Sequence, residues 1–63
     1  MNWQQLEGNW HQMKGRVRQQ FGEVTDDELE QTQGRQEELM GLLKTKTGQT
    51  REEIERELDR LSA

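Results

Sequence analysis

The stretch GNWHQMKGRVRQQFG, residues 8–22, places glycine at every seventh position, Gly8, Gly15 and Gly22, within a pattern that otherwise reads as helix. Glycine costs about 1 kcal/mol relative to alanine in a helix interior, so its regular recurrence needs a reason. Working outward, Trp3, Leu6, Trp10, Met13, Val17 and Phe21 follow one another at spacings of three and four. At about 100° per residue these six fall on one stripe, which predicts a single amphipathic helix over this half. Asn2 is its expected N-cap, and Gly22 is expected to end it as a left-handed residue. On the same wheel Gly8 and Gly15 lie opposite the stripe, as Gly41 lies opposite Leu39. These glycines therefore bare the back of the helices and do not thin their core.

Shifting the chain by 26 residues lays Gly8, Gly15 and Gly22 on Gly34, Gly41 and Gly48, which accounts for all six glycines. Met13 then meets Leu39, and Val17 meets Leu43. After each third glycine comes a capping box, Thr25 with Glu28 and Thr50 with Glu53, in which a threonine and a glutamate three residues on satisfy each other's backbone donors. Asp26 and Asp27 suit the positive end of a helix beginning there. Val24 and Leu29 form a hydrophobic staple, whereas Gln49 replaces the valine at the second corner and predicts a looser joint. Leu39, Leu42 and Leu43 give the third helix its stripe, and Ile54, Leu58 and Leu61 give the last helix its buried face. A break is expected at Gln31–Gly34. The pattern predicts an all-α fold, a small four-helix domain built as an approximate duplication of two helical hairpins. Its half-repeats span about 8–33 and 34–61, and its expected core is Leu6, Trp10, Met13, Val17, Phe21, Leu29, Leu39, Leu43, Ile54 and Leu58.

Bulk composition sets limits on this reading. The chain has 63 residues, 27% hydrophobic and 35% charged, with a mean hydropathy of −1.34. That is close to the composition at which burial fails to offset ordering entropy. A loosely ordered chain is therefore the alternative that the caps and stripes must overcome. There is no cysteine, hence no disulfide or thiolate chemistry. No apolar run is long enough to span a bilayer and no signal-peptide core follows Met1, so a soluble cytoplasmic protein is expected.

The net charge of −4 argues against binding a phosphate backbone, which depends on clustered Lys and Arg. Lys14, Arg16 and Arg18, and again Lys44 and Lys46, sit near helix ends, where they complement the helix dipole. Trp3 and Trp10 read as core anchors, with Trp3 the more exposed. His11 has no cysteine or second histidine to share a metal and is expected to pair with Glu7 one turn earlier. Ser62 has no base beside it. The carboxylates are accounted for by caps and by pairs such as Glu52–Arg56. No catalytic residue, cofactor site or metal site is expected.

Residues 8–48, about two thirds of the chain, resemble the CsbD-like family of small bacterial proteins. The likeness is carried by Gly8-Asn9-Trp10, Lys14-Gly15-Arg16-Val17, Phe21-Gly22, Val24-Thr25-Asp26-Asp27, Gly34, Leu39, Gly41 and Gly48. Arg16 and Arg18 stand where members often carry lysine, and the residues from Thr50 onward lie outside the specific part. The resemblance implies a general-stress protein without an established molecular activity, and a fold of two helical hairpins packed crosswise. It transfers no catalytic or ligand residue. Two functions follow as expectations. One is a non-enzymatic folded module of the stress response that binds another macromolecule, with weak self-association. The other is a hydrophilic protectant that acts by solvation.

Overall fold

The computed structural model describes residues 2–61; Ser62 lies outside them. Among the described residues five helices form: α1 Trp3–Gly8, α2 Trp10–Gln20, α3 Asp26–Thr32, α4 Gln36–Thr47 and α5 Arg51–Leu61. Helix α2 packs on α3 and α5, and α4 packs on the same two, so four helices close a ring while α1 packs on α2. Among the described residues the ring encloses twelve buried apolar side chains, the ten of the expected core together with Val24 and Met40. The Cα radius of gyration is 10.1 Å. A folded chain of this length should have about 10–11 Å and an unfolded one about 24 Å, so the low hydropathy does not prevent compaction.

The expected first helix is two helices. It breaks at Asn9 (φ −111°, ψ 30°), directly after Gly8. The apolar stripe runs through the break without losing register, so periodicity alone could not reveal it. The cause is tertiary. Gln33 (φ 52°) and Gly34 (φ 75°) turn the chain between α3 and α4, and Gly34 presses into the crook of the bend. A Cβ built on Gly34 would lie 2.9 Å from the Trp10 ring and 3.2 Å from Glu7 Cα. This turn also separates α3 from α4, so they do not run together.

Gly22 does not take the left-handed conformation expected of it; among the described glycines only Gly34 and Gly48 have positive φ. Helix α2 ends at Phe21, whose ring is buried. The Val24 N–H donates to the Phe21 carbonyl at 3.2 Å, closing a turn that needs no left-handed residue. Gly48 (φ 72°) does cap α4, its N–H donating to the Lys44 carbonyl at 2.9 Å. On α4 the buried arc is Leu39, Leu43 and Met40, with Leu42 only half-buried. A helix gripped by both α3 and α5 buries a wider arc than a narrow stripe predicts. Leu61 is likewise half-buried.

Both capping boxes form. Thr25 Oγ1 accepts from Glu28 N–H at 3.2 Å while Glu28 Oε1 accepts from Thr25 N–H at 2.9 Å, and Thr50 and Glu53 repeat the same distances. Asn2 caps α1 by accepting from Gln5 N–H. At the corner without a staple valine, a hydroxyl fixes the chain instead: Thr47 Oγ1 donates to the Leu43 carbonyl at 2.7 Å and accepts from Gln49 N–H at 3.1 Å.

A Cβ added at Gly15 or Gly41 would meet nothing within 4 Å, and neither has a positive φ. Gly15→Ala and Gly41→Ala should each stabilise the fold by about 1 kcal/mol. In a domain of this size that raises the melting temperature by about 4–8 °C. A fall in the calorimetric midpoint would mean that these bare faces are occupied by something other than solvent.

Candidate functional site

The charged residues meet around α3. From α2, Lys14 reaches across to Glu30, with which it pairs closely, and to Asp26 at 3.5 Å. From α4, Lys46 reaches Glu28 at 2.7 Å. Glu30 also accepts from the Gln33 amide at 3.2 Å. This short helix, which buries only Leu29 and Thr32, is thus held from both flanks by lysines. Thr32 Oγ1 donates to the Leu29 carbonyl and accepts from Gly34 N–H, which ties the end of α3 to the turn.

These contacts set the electrostatics. The Lys46 ammonium, then the Thr25 N–H, hold Glu28 below the ordinary carboxylate value of 4.5. Lys14, then the Gln33 amide, do the same for Glu30, with a smaller contribution from His11. The Thr50 N–H lowers Glu53. Lys14 is raised above 10.5, chiefly by its hydrogen bond to Glu30.

The sign of the pH dependence follows. The three carboxylates are lowered on folding, so their stabilisation is complete above pH 4.5 and is lost as pH falls through the depressed values. Lys14 is raised on folding, so its contribution is complete below pH 10.5 and is lost above it. Thermal midpoints should fall on the acid side, and Lys14→Met should flatten that fall. An unchanged acid slope in the variant would show that the α2–α3 pair carries none of it.

Several expected pairings rearrange. His11 makes no ion pair with Glu7; the carboxylate it influences is Glu30 on α3. The i,i+4 pair that forms on α5 is Arg51–Glu55 at 3.0 Å, in place of Glu52–Arg56. Of the five basic residues that could have formed a patch, Lys14 and Lys46 are committed to internal pairs, and Arg16 donates to the Leu61 carbonyl at 3.3 Å. Trp10 is buried, its Nε1 without a partner. Trp3 is half-buried. With the Gln36 amide turned so that its oxygen faces both donors, the orientation that satisfies both, that oxygen accepts from Trp3 Nε1 and from Arg51, each at 3.2 Å.

A concavity runs along α1 and α2, where Asn2, Gln5, Asn9, Gln12 and Arg16 surround Leu6 and Met13. Its volume of about 190 Å³ is below the range of about 300–1,000 Å³ usual for small-molecule sites. Its side chains can donate and accept hydrogen bonds, but they include no nucleophile and no general base. A second hollow of about 300 Å³ between α3 and α4 is bordered by Glu28, Gln31, Glu38 and Leu42. Among the described residues no group of three or more His, Cys, Asp or Glu is placed to hold a metal ion. No helix among them is long and apolar enough to cross a membrane.

What these features define, among the described residues, is a small all-helical protein. The CsbD-like family model matches residues 4–56, most of the chain, and the protein belongs to that family. Membership points to a general stress-response protein. No curated protein and no solved structure matches the chain. The family match reaches beyond the 8–48 stretch that carried the resemblance and takes in the second capping box and the first turn of α5.

Proposed function

We propose that this is a non-enzymatic bacterial stress-response protein that acts in the cytoplasm as a small folded interaction module, binding another macromolecule and associating weakly with itself. The observation that carries this reading over a hydrophilic protectant is the closed ring of helices around a buried apolar core. Twelve apolar side chains, each no more than 8% exposed, are not the property of a chain that works by staying solvated. The internal pairing of Lys14 and Lys46 and the net negative charge disfavour nucleic acid as the partner and favour protein. The half-repeat organisation, about 8–33 and 34–61, belongs to the same proposal. It is supported by the paired capping boxes and by the equivalent exposed positions of Gly15 and Gly41 on α2 and α4.

The test is a far-UV circular dichroism melt at two widely separated protein concentrations. A cooperative helical transition is expected, with a midpoint that rises at the higher concentration as folding is linked to association. A shallow, non-cooperative loss of signal would favour the protectant instead.

A further inference from the structure

We propose that α1 exchanges between two copies of this chain. The bend at Gly8–Asn9 opens, residues 3–20 become one straight helix, and the Trp3–Gly8 segment of each copy takes the seat of α1 on the other. The proposal rests on the self-association named above and supplies its route.

Four observations meet at the bend. First, the apolar stripe keeps helical register across it, so the sequence encodes a continuous helix where the fold has two. Second, the helical hydrogen bonds reach the junction residue from both sides without crossing it: Asn9 N–H donates to the Gln5 carbonyl at 3.0 Å and Met13 N–H to the Asn9 carbonyl at 2.9 Å. Yet the Asn9 side chain provides no cap for α2. The opening N–H groups of α2 would find carbonyl partners in a straight helix. Third, nothing lies within 4 Å of a Cβ built on Gly8, and Asn9 is exposed, so both hinge positions have room for a helix-favouring side chain. Fourth, α1 is a separable piece with a defined seat. Leu6 enters the core, Trp3 donates to Gln36, and Glu7 abuts Gly34.

Six residues do not hold a helix alone. Once the bend opens, the surface that fits α1 is the same seat on a second copy. An exchanged dimer remakes these contacts between chains and differs from the monomer mainly at the hinge and in the entropy of association. The hinge residues therefore set the balance. Gly8 ends α1 in the bent form but would lie in the interior of the straight helix, where glycine costs most, so replacing it together with the non-helical Asn9 should favour the straight form.

The experiment is analytical ultracentrifugation of the wild-type chain and of the Gly8→Ala/Asn9→Ala variant. It is paired with isotope-filtered NOE spectroscopy on dimers refolded from labelled and unlabelled chains. The variant should lower the dimer dissociation constant at least tenfold, and the Trp3 indole should show contacts to Gln36 of the partner subunit. A dimer in which Trp3 contacts only its own chain would overturn the exchange while leaving self-association intact. Monomers throughout, to millimolar concentration, would overturn both. The wild-type chain, cooled from above its melting temperature at millimolar concentration, gives the same readout if the variant fails to fold.

Discussion

Gly34→Ala should be severely destabilising, by about 2–5 kcal/mol. A left-handed backbone costs a residue with a Cβ about 1–2 kcal/mol, and an added methyl forced into a packed site costs about 1–3 kcal/mol. Both penalties apply here, because Gly34 has φ 75° and its Cβ would stand 2.9 Å from the Trp10 ring and 3.2 Å from Glu7 Cα. Relief would require the indole or the α1 backbone to move. A domain of this length has a total stability of about 3–9 kcal/mol, so the loss is a large share of it. Gly48 supplies the control. It has nearly the same φ, 72°, with nothing within 4 Å of its Cβ, so Gly48→Ala should show the backbone cost alone. The difference between the two urea midpoints measures the contact between the turn and the bend. Repeating Gly34→Ala in a Trp10→Leu background should recover part of that difference. Equal losses at the two glycines would mean that the turn does not press on Trp10 and that another cause must bend the first helix.

The asymmetry between Gly34 and Gly48 also marks how far the sequence could be read. Gly22 aside, whose expected left-handed conformation does not form, much of what is decided within four or five residues was legible: both capping boxes, the Asn2 cap, the Gly48 terminus and the staple of Val24 with Leu29 at the first corner. Each rests on a hydrogen bond or contact that the local spacing dictates. What escaped was decided across the chain. The break at Asn9 leaves the apolar register untouched, and its cause sits some 25 residues away in the Gln33–Gly34 turn. Gly34 was legible as a boundary but not as the residue that meets Trp10. Met40 is buried because α4 is flanked by two helices, whereas a stripe describes a helix covered from one side. The lysines of KGRVR and KTK could be read as dipole partners; that they would grip α3 from opposite flanks depended on which helices became neighbours. The candidate site suffers most from this. A concavity lined by amides and one arginine, with no nucleophile among its side chains, leaves no spacing rule in the sequence to find.

Helix α5 is where local and long-range readings diverge most, and it yields the second large effect. The residues from Thr50 onward lay outside the stretch that carried the resemblance, and the family match ends at residue 56. A reading by similarity alone would make Leu58 dispensable. The packing says otherwise: α5 touches both α2 and α4 and so completes the ring, and Leu58 and Ile54 are each fully buried. Leu58→Ala should therefore cost about 2–5 kcal/mol, the range for a leucine truncated inside a closed core. Leu61→Ala, three residues on and half-buried, should cost well under half of that. Urea denaturation followed by circular dichroism decides between them, with the slope checked for constancy so that a shifted midpoint reports stability. If Leu58→Ala costs less than about 1 kcal/mol, the last turns of α5 do not hold the core and the ring is open at that corner. If it costs the full range, the domain extends past the family match. The Arg16 contact to the Leu61 carbonyl then joins the end of α5 to α2, the helix that follows the bend at Asn9.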